Sequence, residues 1–249
     1  MHDSCPPIVL FCDFGLPYSG QMKSKLSVQA PNVPVIDLFH DVPAYDICAG
    51  SALLAAHTKD FPPNTVFLCV VDPGVGSDQR KPGAVFAGGW WFVGPLNGLF
   101  EHVLRQNPTN AKAFEITTIA NNVSSTFHGR DIFAPIAAQI AKGDLSALKP
   151  MPTLDIRHDG FDDDVSKVIY IDTFGNLMTG IQSKALQSDE TIEILNYKLS
   201  KTQTFSDADR GSLFVYENAV GLLEIAANCA NAKEILQITE FPPVKILKM

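Results

Sequence analysis

Four short apolar runs, Ile8–Cys12, Val33–Leu38, Val66–Val71 and Val85–Phe92, constrain the fold more than any other feature of the chain. Each is nearly continuous in aliphatic and aromatic residues, whereas a sheet with one wet face would alternate apolar and polar side chains. Strands of this kind are buried on both faces, as in parallel sheets covered by helices. Segments with helical spacing lie between and beyond them, at Asp46–His57, Gly98–Arg105 and Ile132–Lys142. Asp46 offers an N-cap to the first, and Lys142-Gly143 marks the end of the last. The pattern predicts an α/β N-terminal domain with a mostly parallel sheet over residues 1–155.

From Lys149 to Asp164 the periodicity breaks at Pro150, Pro152, Gly160 and Asp162-Asp163-Asp164, which reads as a linker. Beyond it the segments Val168–Ile171, Ile192–Leu195, Ser212–Tyr216, Ile235–Ile238 and Val244–Leu247 read as short strands, and Gly221–Ala226 as strand or helix. A small, mainly β domain over 165–249 is expected.

Charge narrows the partners. The formal net charge of −8 comes without any basic block, so nucleic acid and anionic membrane surfaces are not expected partners. No apolar run approaches the about 18 residues of a bilayer span, and Ile8–Cys12 is too short and lacks the basic flank of a signal peptide. The five cysteines are scattered without a C-x-x-C pair, which disfavours zinc ribbons and disulfide frameworks. A cytoplasmic location and a small-molecule substrate follow as expectations. No metal is expected either, since His40-Asp41 and Asp46 have no second histidine at a ligand spacing.

Polar residues crowd where the strands end, the place at which open α/β sheets bind ligands. Cys12-Asp13-Phe14-Gly15 follows the first strand and Asp72-Pro73-Gly74-Val75-Gly76 the third. Each aspartate either closes its own turn through an Asx hydrogen bond or faces a cleft. Gly74-x-Gly76 lacks the third glycine of a dinucleotide fingerprint, that position being Gln79. A third cluster, Ser124-Ser125-Thr126-Phe127-His128-Gly129-Arg130-Asp131, precedes a helix and is either a reactive stretch or a helix entrance. Arg80 reads as a ligand of such a cleft or as a solvated charge. In the second domain, Asp172-Thr173-Phe174-Gly175-Asn176 is either an Asx-rich turn or a ligand site, and Glu217–Gly221 with Leu222–Ala226 is either a further site or a connection into a buried element.

Together these stretches resemble one family, the S-adenosyl-L-methionine hydrolases or hydroxide adenosyltransferases, relatives of the adenosyl fluoride and chloride synthases. The matching runs include Asp13-Phe14-Gly15, His40-Asp41-Val42-Pro43, Val70–Gly76, Asn97-Gly98 and Ser125–Pro135. Phe174-Gly175-Asn176 and Leu223-Glu224-Ile225-Ala226 continue them in the second domain. The resemblance implies a β-barrel-like C-terminal domain and a homotrimer whose substrate lies between one subunit's first domain and its neighbour's second. It implies a catalytic trio of Asp72, Arg80 and His128 and a ribose-binding Asp13. Tyr45 would lie beside the substrate, and Tyr18, Ser125, Thr126 and Phe127 would line its site. Phe174, Asn176 and Phe205 would surround the adenine, with backbone near Ala227 and Cys229 reading its edge, while Asp172 would meet the methionine ammonium. No cofactor is implied.

The halogenating relatives carry tyrosine where this chain has Asp72 and His128, and a serine where it has Gly129, so the resemblance favours water over halide. Four positions depart from the family pattern: Cys12 for threonine, a shortened Leu16–Gly20 segment without its acidic residue, Leu96 for aspartate and Ala219 for serine. The expected reaction is hydrolysis of S-adenosyl-L-methionine to adenosine and L-methionine by in-line attack at C5′. The alternatives are a halide-using synthase and a non-catalytic adenosine or S-adenosylmethionine sensor.

Overall fold

The computed structural model describes residues 5–78, 80–118, 122–187 and 189–248. The chain divides into two compact units, Met1–Phe161 and Asp162–Met249. In the first, β1 (Ile8–Cys12), α1 (Leu16–Gln29), β2 (Val35–Phe39), α2 (Ile47–His57) and β3 (Val66–Val70) follow in order. They lead to β4 (Lys81–Ala87), β5 (Trp90–Leu96), α3 (Glu101–Gln106), β6 (Lys112–Ile116), α4 (Ala134–Ala141) and β7 (Leu148–Met151). One sheet carries them in the order β2-β1-β3-β5-β4-β6-β7. Strands β2, β1, β3, β5 and β6 run one way and β4 and β7 the other.

Every residue of β1 and β3 is buried. Ile8, Leu10, Cys12, Val66, Leu68 and Val70 pack with Met22 and Leu26 of α1 and with α4. The alternate residues build the other face, where Phe11 meets Phe39, Phe39 meets His57 of α2, and Phe67 stacks on Phe92. Each such side chain contributes about 1.5–3 kcal/mol through removal from water. Asp46 caps α2 by accepting the Ala49 N–H at 3.0 Å, as the sequence indicates.

Three expectations are corrected. The run Val85–Phe92 is a hairpin rather than one strand: Gly88 and Gly89 adopt φ of 62° and 97°, the left-handed pair that a two-residue turn requires. The Lys149–Asp164 stretch is no free linker. Its start lies in β7, and Arg157 reaches the buried Glu101 carboxylate at 2.9 Å. Ile235–Ile238 is not a strand, because Asn231 caps a short helix at Ala232–Ile235 through the Glu234 N–H. Helix α1 goes unsignalled in the sequence, since only Ser19, Met22 and Leu26 of its face are buried.

The second unit contains β8 (Val165–Ile171), β9 (Leu177–Gln182), β10 (Thr191–Ile194), β11 (Tyr197–Ser200), β12 (Leu213–Glu217) and β13 (Leu222–Ala227), then α5 (Ala232–Ile235) and β14 (Val244–Leu247). They form two antiparallel sheets, β12-β13-β9-β8 and β11-β10-β14, around one apolar core. Edge bridges join the sheets at Lys167–Pro243 and Lys201–Val215. Among the described residues, no helix is long and apolar enough to cross a membrane.

Candidate functional site

Because β1 and β3 are adjacent and parallel, their carboxyl ends deliver Asp13 and Asp72 to the same edge of the sheet. Backbone bonds from Gly15 N–H to His40 O (2.8 Å) and from Val42 N–H to Cys12 O (3.2 Å) lace the loop after β1 to the His40–Pro43 segment. Tyr45 stands in the left-handed region, at φ 65°, and its N–H donates to Asp13 Oδ2 at 3.1 Å. Such strain in a non-glycine residue concentrates at functional sites. Asn97 steadies the end of β3 by donating to Val71 O at 3.0 Å.

The Pro-Gly-Val-Gly turn after Asp72 brings a distant segment in. At Gly76, φ is +78° and a Cβ would collide with the Ser125 carbonyl oxygen, so only glycine permits this approach. The 124–131 segment then folds over the site around an internal ion pair. Arg130 grips Asp131 with two bonds of 2.7 Å, and Asp131 also accepts the Ser124 N–H at 3.0 Å. The Arg130 pairing holds the Asp131 carboxyl below the usual carboxylate range. A single π-turn, Gly129–Phe133, follows His128 and leads into α4. Insertions of this type are frequent at functional sites.

Arg80 closes the assembly. Its Nε donates to Asp72 Oδ1 at 3.0 Å, and its Nη2 donates to Asp72 Oδ2 and, at 2.8 Å, to His128 Nδ1. The Asp72 and Arg80 side chains are each only 4% exposed, and the guanidinium lies 5.5 Å from the Phe133 ring centroid. A guanidinium only donates, so Nδ1 must accept. The imidazole is therefore neutral, with its proton on Nε2. Burial and the neighbouring Arg80 charge both lower the His128 pKa, in agreement with that state. Burial raises the Asp13 pKa, partly opposed by the Tyr45 N–H.

A cavity of about 170 Å³ opens onto these groups. Of the residues expected there, Asp13, Tyr45, Asp72, Thr126, Phe127 and His128 line it, while Arg80 backs it through Asp72 and His128. Tyr18 packs edge-on against Phe14 and Phe127, and Ser125 contributes its carbonyl behind Gly76 rather than a cavity wall. Phe14, Val70, Val75 and Gly129 complete the lining. They had a signal in the motifs that contain them, but their apolar side chains carried no chemical one. A larger recess of about 530 Å³, between Pro6-Pro7, Pro62-Pro63 and Trp91, offers no carboxylate, imidazole or guanidinium.

Both Asp72 oxygens are taken by Arg80, so a cation at this carboxylate would have to displace a guanidinium. Burial pushes the Cys12 thiol up to about 12 and the Cys69 thiol well above its ordinary value, so neither supplies a thiolate nucleophile. What remains is a largely apolar pocket with a carboxylate-held guanidinium, a neutral imidazole and a second carboxylate, an arrangement able to hold an anion and move a proton.

In the second unit Asp172 organises a tight turn. Its Oδ1 accepts the N–H groups of Phe174 (2.9 Å) and Asn176 (2.8 Å), and its Oδ2 accepts Asn176 Nδ2 (2.9 Å). Phe174 is left 76% exposed at the tip. Phe205 packs against Phe214 and Tyr216, with ring centroids 5.0 Å away in each case. Ala227 ends β13, and the exposed Cys229 turns the chain at φ 54°. Sequence reasoning did not single out Tyr216. Its hydroxyl donates to the buried Glu224, which Asn218 also contacts at 2.9 Å.

The family described as SAM hydroxide adenosyltransferase matches the chain twice, its N-terminal domain over residues 8–149 and its C-terminal domain over 166–245. An (R)-S-adenosyl-L-methionine hydrolase of Salinispora arenicola is 34% identical over 254 residues, covering 95% of each chain. That of Thermus thermophilus is 33% identical over 257 residues, covering 97% of this chain and 99% of its own. Fluorinases are more distant, at 24% for that of Actinopolyspora mzabensis. The structure of an uncharacterized conserved protein from Thermotoga maritima superimposes with a TM-score of 0.81 at 29% identity, covering 97% of this chain and 100% of its own.

Proposed function

The chain belongs to the SAM hydroxide adenosyltransferase family, and from that premise we propose that it hydrolyses S-adenosyl-L-methionine to adenosine and L-methionine. The observation that carries this reading is the Asp72–Arg80–His128 assembly opening onto a cavity that also holds Asp13. A sulfonium is already a leaving group. As the C5′–O bond forms, the C5′–S pair passes to sulfur and methionine departs as a neutral thioether, so the reaction calls for no redox or metal cofactor. The difficulty lies in the nucleophile, because water must lose a proton.

Arg80 supplies positive charge for the resulting hydroxide; among the described residues its Nη1 has no partner. His128 takes up a proton only at Nδ1, so its bond from Arg80 opens as the proton arrives. Asp72 then stabilises both cations. Asp13 accepts hydrogen bonds from the ribose hydroxyls, with Tyr45 beside the sugar. Attack of an anion on a sulfonium destroys charge, and the dry walls of Phe14, Val70 and Phe127 favour a transition state less charged than its reactants.

The same reading gives the second unit the adenine and methionine contacts. Phe174, Asn176 and Phe205 would flank the base, backbone near Ala227 and Cys229 would read its edge, and Asp172 would meet the ammonium. The rigid Asp172–Asn176 turn and the exposed Phe174 ring support this assignment. The edge bridges Lys167–Pro243 and Lys201–Val215 support a barrel-like second domain. A homotrimer completing each site from a neighbour belongs to the same proposal. The exposed Leu16, Tyr18 and Tyr45 support it, and mass in solution by light scattering tests it. A reducing, cytoplasmic setting suits the free cysteines.

Chromatography of the protein incubated with S-adenosyl-L-methionine is the direct test. Adenosine and methionine in equal amounts, lost in Asp72→Ala, are the expected result. Bound adenosine without turnover would overturn the enzymatic reading in favour of a sensor.

A further inference from the structure

His40 lies outside the cavity, yet its ties converge on the loop that carries Asp13. Between β1 and β2 the register skips Leu38: Leu10 stands opposite Asp37 and Phe11 opposite Phe39. An extra residue of this kind bends a strand and re-aims the side chains near it. Just beyond, the His40 ring reaches the end of β1, with Nδ1 3.7 Å from Cys12 Sγ. Burial keeps the Cys12 thiol protonated, so the S–H donates and Nδ1 accepts. The same sulfur receives the Phe14 N–H. On the far side of the ring, Nε2 approaches Asp37 Oδ1 to 3.1 Å but out of line for a hydrogen bond, and Lys23 of α1 holds the other Asp37 oxygen at 2.9 Å. Among the described residues the sulfur contact is therefore the ring's only hydrogen bond. The backbone repeats the link, since His40 O accepts the Gly15 N–H and Cys12 O the Val42 N–H. Cys12 and Gly15, on either side of Asp13, are thus both tied to the 40–42 segment.

We propose that His40 is a positioning residue for Asp13: through Cys12 it sets the direction in which the carboxylate meets the ribose hydroxyls. The inference rests on the ribose-binding reading of Asp13 given above. Asp13 has little of its own to hold it. Its Oδ2 accepts the Tyr45 N–H, burial raises its pKa, and among the described residues no cation pairs with it. A carboxylate so placed keeps its direction only if the backbone on both sides is fixed. Two neighbouring hydroxyls ask for acceptors at a set distance and angle, and a small rotation of the loop spoils at least one of the bonds. Loss of the imidazole leaves the buried S–H without an acceptor, and loss of the S–H leaves Nδ1 without a donor, so either change loosens the same loop. His40 itself touches neither hydroxyl and takes no part in the chemistry.

The test compares adenosine with 2′,3′-dideoxyadenosine by calorimetry, because the ratio of their affinities reports the ribose hydroxyls alone. Wild type should prefer adenosine, and Asp13→Ala, the reference, should lose that preference. His40→Ala should lower the ratio about three- to tenfold, the weight of roughly one hydrogen bond. It should raise KM for S-adenosyl-L-methionine by a similar factor while kcat stays within about threefold of wild type. Cys12→Val should lower the ratio about two- to threefold, whereas Cys12→Thr, of nearly the same shape but with a hydroxyl donor, should keep it. In the His40→Ala background the difference between valine and threonine should disappear. A merely structural role would lower the thermal midpoint and leave the ratio where it was. An unchanged ratio in His40→Ala, or equal ratios for valine and threonine at position 12, would overturn the proposal. If His40→Ala does not fold, the two Cys12 variants decide. A wild type that binds both nucleosides equally refutes the reading of Asp13, and the proposal falls with it. Preference for adenosine without turnover refutes only the hydrolase reading, and the affinity ratios still decide the role of His40.

Discussion

The first unit holds two buried carboxylate–guanidinium assemblies that end differently. Around Glu101, Arg105 Nε donates to Oε1 at 2.7 Å, Arg157 Nη2 to Oε1 at 2.9 Å, and the His158 N–H to Oε2 at 2.8 Å. The carboxylate is fully enclosed, and what it secures is the 157–158 segment against α3. Around Asp72 the same chemistry leads onward, because Arg80 passes its second Nη2 hydrogen to His128, and His128 faces a cavity. Burial of an ion pair is thus no mark of function by itself. The difference lies in a titratable group on the open side.

The sharpest separation of the two should come from deleting each carboxylate. Asp72→Ala should lower kcat by about 10²–10³-fold, the scale seen when one preorganised electrostatic partner is removed, in a protein that still folds. Steady-state kinetics beside a thermal melt checks this, and a loss below tenfold would break the contrast. Glu101→Gln should spare turnover. It should cost about 2–3 kcal/mol of stability in denaturant unfolding, below the value for a fully enclosed pair because both guanidiniums reach solvent. Its kcat at a permissive temperature should stay within about threefold of wild type.

pH should separate the assemblies next. The folded-state pKa of His128 lies below its unfolded value, lowered by burial and then by Arg80. Its neutral form, and the Arg80 bond to Nδ1, are fully present above about pH 6.5 and are lost as pH falls through the lowered folded value. Activity should therefore show an acid limb with an apparent pKa under about 6.5. Asp72→Asn should move that limb lower still, since the Asp72 charge favours the imidazolium. Burial pushes Glu101 up, but bonds from Arg157, the His158 N–H and Arg105 outweigh it and hold the carboxyl low. Its contribution is present above the unfolded value of about 4.3 and disappears only below it. A kinetic acid limb coinciding with acid unfolding would contradict this ordering.

The smallest effect belongs to Arg105→Ala. Its i,i+4 pair with Glu101 is partly exposed and Arg157 remains, so the loss should stay under about 1 kcal/mol, read as a small shift in urea midpoint with unchanged kcat.

Much of this layout was legible in the chain. The unbroken apolar runs at Ile8–Cys12 and Val66–Val70 encode strands buried on both faces, and a buried strand must end in a polar turn, which places Asp13 and Asp72 at strand ends. Helix α1 was not legible, because its own residues show no apolar stripe beyond Met22 and Leu26. The Val85–Phe92 run misled for a related reason: the hydrophobicity of Val85, Phe86, Trp90 and Trp91 continues across a turn set by backbone conformation at Gly88-Gly89.

The sequence by itself determined which residue types stand at the ends of the parallel strands, since burial patterns and turn residues act over a few neighbours. Tertiary structure alone decided how they meet. The adjacency of β1 and β3 joins Asp13 to Asp72, the close approach of Gly76 to Ser125 brings His128 in, and the Arg80 bond fixes the tautomer of its ring. Contacts between such distant residues depend on the whole sheet order and its packing, which no local periodicity records.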